Sequence, residues 1–331
     1  MLDVQLKDIT FTYKEGDSVF QNFNLELEKG AFHFIVGANG SGKSTLLNLI
    51  LGGLQPNKGE VLHQGQHRNH RQLTSLIGYI PQDQSLDPEM SISDILDFIG
   101  SCHGLKKKEV PERKAIVLEA LDITDLQSKR IKFLSGGQRQ KVNIAIGLIH
   151  DPEIILLDEP FTGLDYYTSI RILTALQNMD KTIICVTHDL DIAEKYATDV
   201  IILKDGTLIE KGSPKKIIEE KAYQLKEIDF AVEISEQSVQ LSDSVKTTIH
   251  QNRLLLSYPD KEELNKEVGD FLQSKEADIL KISSSGNDLK SSIVGLHGIG
   301  VEGRPKAVKK KKGGGGDGTG GGGGQGKGGN R

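Results

Sequence analysis

The sequence predicts an α/β fold built on a mainly parallel sheet, and three features carry that prediction. Short aliphatic runs recur at "FHFIVG" (residues 32–37), "EIILLDE" (153–159) and "TIICVTH" (182–188). Continuous apolar strands of this kind belong to sheets covered on both faces, as parallel sheets are. Stretches with helical apolar spacing, "KSTLLNLILGGL" (43–54) and "YYTSIRILTALQNM" (166–179), alternate with them in a βαβ pattern. The third feature is a glycine loop, "GANGSGKST", joining the first of these strands to the first helix.

From the N-terminus onward, "VQLKDITFTY" (4–13) alternates apolar and polar residues and reads as an antiparallel strand outside the parallel sheet. Residues 1–220 as a whole form one domain. Residues 84–140 read as a helical insertion within it, polar and helix-like from "QSLDPEMSISDILDFIG" through "VLEALDIT" and punctuated by Pro111. Residues 221–300 change character. "NRLLLSY" reads as a strand, "KEELNKEVGDFLQSKE" as an amphipathic helix, "ADILKISS" as a strand and "NDLKSSIVGL" as a closing helix, a small βαβα appendage. Residues 301–331 are lysine- and glycine-rich, with 13 glycines between Gly313 and Gly329. Such a segment buries too little apolar surface to offset its ordering entropy and is expected to be disordered.

Composition narrows the function. With 37% hydrophobic and 26% charged residues the chain reads as soluble and globular. No apolar run approaches the roughly 18 residues of a membrane span. The N-terminus lacks a basic region followed by an apolar stretch, so the protein is expected to stay in the compartment where it is made. Cys102 and Cys185 are too few and too far apart for a disulfide framework or a metal site, which fits a reducing cytoplasm. The net charge is −5, yet residues 304–331 hold eight Lys or Arg against one Asp, so the remainder is distinctly acidic. An acidic globular part argues against nucleic acid as a partner.

The loop Gly37-Ala38-Asn39-Gly40-Ser41-Gly42-Lys43-Ser44 fits G-x-x-x-x-G-K-[ST] and is followed by Thr45. Its glycines let backbone N–H groups turn inward onto phosphate oxygens, Lys43 brings charge to the β/γ-phosphates, and the Ser44 hydroxyl ligates Mg²⁺. The strand before it and the helix after it are the context such a loop needs, so the core is of the P-loop NTPase kind. "IILLDEP" places Asp158 and Glu159 at a strand end, where Asp158 can reach the metal and Glu159 can polarise a water. His188 leaves another buried strand at the same edge and can donate to a γ-phosphate oxygen. Gln82, in "GYIPQD", can contact the metal or the water, and Tyr13 can stack on a base. No Asn-Lys-x-Asp base-reading motif follows the loop, which speaks against a GTPase. A second glycine turn, "LSGGQ" (134–138), runs straight into a helix and forms another anion cradle from the Ser135 hydroxyl and the Gly136 and Gly137 amides, with no lysine of its own.

Together these segments resemble the ATPase subunit of ABC transporters over roughly residues 1–220. The order is that of the family: an aromatic loop at Tyr13, Walker A at 37–45, a Gln82 loop, the "LSGGQ" signature, "IILLDE", "GLD" at 163–165 and His188. The "TGLD" loop departs from the Ser often found first, and the helix "VNIAIGLI" lacks the arginines frequent there. The resemblance implies two ATPase domains, as homodimer or heterodimer, set head to tail. Ser135, Gly136, Gly137, Gln138 and Asp165 of one copy then complete the ATP site of the other. It also implies a separate transmembrane permease docked near the Gln82 loop and the helical insertion, with the subunit peripheral on the cytoplasmic side of the membrane. "IGYIPQDQSLDPEMSISDILDFIGSCHGL" and "LIHDPEIILLDEPFTGLD" look most like ATPases of ABC-2-type exporters. The alternatives are an importer ATPase, or a soluble ABC ATPase acting on ribosomes or nucleic acid.

Overall fold

The computed structural model describes residues 1–297 apart from 15, 17, 83–84, 221–222, 236–237, 276–277 and 287. The chain opens with β1 (Leu2–Thr12), β2 (Ser18–Glu28), β3 (Phe32–Gly37), α1 (Lys43–Leu51) and β4 (Lys58–His63). Helix α2 (His70–Leu76) runs into β5 (Ile77–Ile80), and α3 (Ile92–Cys102), α4 (Val110–Ala120) and α5 (Gly136–Leu148) follow. Next come β6 (Ile154–Asp158), α6 (Tyr166–Gln177), β7 (Thr182–Val186), α7 (Leu190–Tyr196), β8 (Asp199–Lys204), β9 (Thr207–Gly212) and α8 (Pro214–Glu220). The C-terminal part adds β10 (Tyr223–Phe230), β11 (Lys246–His250), β12 (Arg253–Pro259), α9 (Glu262–Ser274), β13 (Ile279–Gly286) and α10 (Leu289–His297).

The central sheet has the order β5-β6-β7-β3-β8-β9, parallel except for the β8–β9 hairpin. Its strands are apolar throughout because successive residues enter two different cores. Ile155, Leu157, Ile183 and Cys185 face the helices α3 to α7, whereas Ile154, Leu156, Ile184 and Val186 face the N-terminal sheet and α1. That N-terminal sheet is antiparallel, β2-β1-β4, as the alternation in residues 4–13 predicts. The whole is the expected P-loop α/β core with an antiparallel β subdomain, a helical region and a small C-terminal α+β appendage.

The helical region is compact for local reasons. Ser91 and Asp94 form a reciprocal capping box at the start of α3. Pro111 falls in the first turn of α4, where its missing N–H breaks no helix hydrogen bond. Lys114 joins the two helices through Ser93 (2.8 Å) and Asp97 (2.6 Å).

The C-terminal sheet differs from the βαβα expectation. It has four antiparallel strands in the order β11-β12-β10-β13, so β10 and β11 are additional. Strand β10, "YQLKEIDF", lies in the sheet interior, yet its charged residues hide the apolar pattern. Those charges are tolerated because each has a partner on a neighbouring element: Asp229 with Arg253 (2.7 Å), Glu227 with Lys290 (3.9 Å) and Lys226 with Ser284 (3.3 Å). Helix α9 closes one face with Val268 and Phe271. Helix α10 reaches the helical side of the central sheet, where Leu289 and Ile293 share an apolar cluster with Leu190 and Ile192. The Leu289 N–H donates to Glu194 of α7 at 2.8 Å. The tail expected at 301–331 lies outside the described residues.

One crossing in the core leaves no room for a side chain. A Cβ on Gly78 of β5 would overlap the Gly147 carbonyl oxygen of α5 and lie 2.8 Å from Pro152 Cγ. Gly78→Ala should therefore destabilise the protein by about 1–3 kcal/mol through overpacking. Denaturant melts read this directly, and an unchanged midpoint contradicts it.

Candidate active site

The site is built at the carboxyl ends of β3, β6 and β7, which are adjacent in the order β6-β7-β3. Strand β3 ends at Gly37, where a Cβ would overlap the Leu203 carbonyl oxygen of the neighbouring strand. Gly40 and Gly42 hold left-handed backbone, with φ 84° and 102°, and a methyl on Gly42 would also sit 2.9 Å from the Phe20 ring. The Ser41 N–H donates to Ala38 O at 3.1 Å, and the Gly206 N–H donates to Ser41 O at 3.1 Å. Lys43 Nζ is folded over its own loop, donating to the carbonyls of Gly37 (2.8 Å) and Ala38 (3.0 Å). The hydroxyl of Ser41 is buried without a hydrogen-bond partner.

Asp158 closes β6 in register with Val186 of β7. Glu159 follows with φ 48°, a left-handed conformation rare for a residue with a side chain, and its N–H donates to Val186 O at 3.0 Å. That turn aims the carboxylate at His188, whose Nδ1–H donates to Glu159 Oε2 at 2.8 Å. Tyr13 reaches the loop from β1's end, its hydroxyl 3.1 Å from Thr45 Oγ1 and its ring edge-on to Phe11.

A cleft of about 350 Å³ is lined by Tyr13, Asn39, Gly40, Gly42, Lys43, Ser44, Thr45, Gln82, Asp158 and Glu159, with Val19 and Val186. The metal candidates Ser44, Gln82 and Asp158 thus share one wall system with the loop. Burial dominates the electrostatics. It pushes Lys43 below its ordinary value, and the Glu159 and Asp158 charges oppose the fall. It raises Asp158 against the pull of Lys43, and raises Glu159 against the pull of His188 and then Lys43. A polyanion fits here: the loop has left-handed glycines, a half-buried lysine and an orphaned hydroxyl at Ser41. Two carboxylates and the Ser44 hydroxyl are hard oxygen ligands of the kind Mg²⁺ takes.

The second group of expected site residues lies elsewhere. Ser135 caps α5, accepting from Gln138 N–H (3.3 Å) while its own N–H donates to Gln138 Oε1 (3.1 Å). Asp165 caps α6 through the Thr168 N–H at 3.0 Å. The two turns meet, since a Cβ on Gly137 would lie 3.3 Å from Thr168 Cγ2. Ser135, Gly136, Gly137, Gln138 and Asp165 do not line the cleft around Lys43. No sequence motif marks Gly206, which anchors the phosphate loop. The signal was present all the same: Asp205 and Gly206 have φ 47° and 74°, the tight turn that "DG" between apolar runs announces.

A strand–glycine loop–helix with a lysine at the helix start and an acid pair two strands away defines a P-loop nucleoside triphosphatase. The comparisons with known proteins carry this further. The family described as ABC transporter matches residues 20–162. The energy-coupling factor transporter ATP-binding protein EcfA of Methanocaldococcus jannaschii is 36% identical over 228 residues, 66% of this chain and 81% of its own length. Among solved structures, cbiO1 from Clostridium perfringens, part of the ABC transporter complex cbiONQ, is 30% identical with a TM-score of 0.62, over 66% of this chain and 92% of that one. A dimeric ATP-binding cassette in a post-hydrolysis state, bound to ADP and Pi, is 31% identical with a TM-score of 0.57, over 63% of this chain and 98% of its own. The curated relatives are matched over 30% to 97% of their own lengths. This chain belongs to the family of ABC transporter ATP-binding proteins and is an ATP-hydrolysing enzyme.

Proposed function

We propose that the chain is the ATP-driven subunit of an ABC transporter, acting as a pair of copies on a separate transmembrane permease. The observation that carries this reading is the division of the site. The cleft around Lys43 holds a phosphate loop, a metal side and a water side, while the Ser135 turn presents an exposed helix N-terminus that touches none of them. A glycine-led helix start is an anion site in its own right. A second copy, turned head to tail, brings its Ser135, Gly136, Gly137, Gln138 and Asp165 to the terminal phosphate and excludes water on closing. A similar cassette forms a dimer with ADP and Pi.

In this mechanism the loop from Gly37 to Thr45 cradles the phosphates, with Lys43 giving up its carbonyl bonds to meet them. Tyr13 faces the base. Ser44, Gln82 and Asp158 would hold Mg²⁺, which would supply positive charge against the negative charge gathering on the transferred phosphoryl group. Glu159 takes the proton of the attacking water, and His188 keeps that carboxylate oriented and donates toward the γ-phosphate. The permease docks beside Gln82 and the helical region, where Phe98 of α3 is 60% exposed, and keeps the subunit on the cytoplasmic side of the membrane.

The exporter likeness of residues 77–105 and 148–165 finds little support among the relatives. Two of them are ATP-binding proteins of energy-coupling factor transporters. The importer ATPase, held above as an alternative, is the reading they favour.

As a base Glu159 must be ionised, and burial raises it above its ordinary 4.5. Turnover at saturating ATP should therefore fall as pH drops through a value above 4.5, while the fold persists. An acid limb at or below that value contradicts the assignment. Glu159→Gln should lower turnover by about 10²- to 10⁴-fold yet bind ATP and accumulate a closed dimer. Size-exclusion chromatography with ATP that shows only monomer speaks against it. Ser135→Arg should abolish turnover while the isolated subunit keeps its nucleotide affinity; a large loss of that affinity would mean the signature turn acts within its own copy.

A further inference from the structure

A second cluster of ligating side chains lies at the opposite end of β3 from the phosphate loop. Glu28 ends β2, His33 is the second residue of β3, and Asp199 begins β8. His33 and Asp199 are register partners across the parallel β3–β8 pair. One ligand atom from each of the three residues lies within 4.8 Å of the others.

His33 is the informative member. It is fully buried, at 0% exposure. Its Nε2 is 3.1 Å from the Glu28 carbonyl oxygen, which can only accept, so Nε2 carries the hydrogen. In the neutral ring that leaves Nδ1 as a bare lone pair, and Nδ1 has no hydrogen-bond partner. It points at Asp199 Oδ2 from 3.5 Å. A buried lone pair facing the carboxylate oxygen of Asp199, whose side chain is 20% exposed, calls for positive charge between them, either a proton or a metal ion. Burial holds the imidazole below its ordinary value, against the opposing pull of the Glu28 carbonyl and of Asp199. Lys211 does not serve, because its ammonium donates to the Glu26 carbonyl (2.6 Å) and to both Glu28 oxygens (3.1 and 3.0 Å).

The 3.5 Å between His33 Nδ1 and Asp199 Oδ2 suits a shared metal, and a Glu28 oxygen lies within 4.8 Å of a ligand atom of both residues. Zinc bonds of about 2.0–2.2 Å to N and O place tetrahedral ligand atoms about 3.3–3.6 Å apart. The Nε2–H to carbonyl bond is the outer partner that metal-bound imidazoles use. We propose that Glu28, His33 and Asp199 form a binding site for a divalent cation of the zinc type, tying β2, β3 and β8 together away from the nucleotide cleft. The ion takes His33 Nδ1 and one oxygen from each carboxylate, and water fills the fourth position. Lys211 is a repulsive neighbour that limits its affinity.

The test uses the full chain, stripped with a chelator and free of nucleotide and magnesium, titrated with zinc chloride by calorimetry. The expected result is one zinc per chain, with affinity falling about tenfold or more in Asp199→Asn and in Glu28→Gln. Lys211→Met should bind more tightly than the natural sequence. His33→Asn should abolish binding, and the two carboxylate variants keep the question answerable where that one fails to fold. Equal binding by Asp199→Asn overturns the proposal, as does a loss seen in His188→Ala instead, which would put the ion at the nucleotide cleft. Nitrogen-15 NMR showing His33 as an imidazolium unchanged by zinc overturns it too, since a proton then fills the gap.

Discussion

The nucleotide cleft depends on two places where the chain has no side chain to spare. At Gly37 the backbone of β3 runs against the Leu203 carbonyl, and at Gly42 the start of α1 runs against the Phe20 ring. Neither surface can retreat. Leu203 belongs to the central sheet, and Phe20 is fully buried in the N-terminal sheet that covers α1 from the other side. Helix α1 itself is clamped by Leu46, Leu47, Leu49 and Ile50, each burial contributing about 1.5–3 kcal/mol. The loop between strand and helix is held at both ends by packing, so its amides are oriented before any ligand arrives.

The same confinement sets the charges. Lys43, Asp158 and Glu159 share one partly buried cleft where burial disfavours each as an ion. The two carboxylates offset this for Lys43, Lys43 offsets it for Asp158, and His188 and then Lys43 offset it for Glu159. Lys43 rests on loop carbonyls that a ligand can replace, while Glu159 is held by His188. Glu159 also keeps a left-handed backbone, a strained setting that its N–H bond to Val186 maintains.

Much of this was legible in the sequence, because the relevant signals are local. A glycine loop after a buried strand, an acid pair at a strand end and a serine-capped helix each occupy fewer than ten consecutive residues. The gathering of the first two also followed, since parallel strands deliver their carboxyl ends to one edge. Other features were hidden where the meaning of a residue lies in a distant partner. Strand β10 looks too charged to be internal until Arg253 and Lys290 are seen beside it. The role of Gly206 depends on a bond to Ser41, more than 160 residues earlier. The separation of the Ser135 turn from the Lys43 cleft has no trace in the order of motifs along one chain.

Helix α10 gives the C-terminal part a stake in the enzyme. Leu289 and Ile293 fill the same apolar cluster as Leu190 and Ile192, and the Leu289 N–H ends on Glu194. Leu190, Ile192 and Glu194 sit on α7, the helix that begins two positions beyond His188. A chain cut short at residue 220 would leave that helix with bare hydrocarbon on one flank. The histidine's footing, and not only an accessory lobe, would be what such a truncation removes.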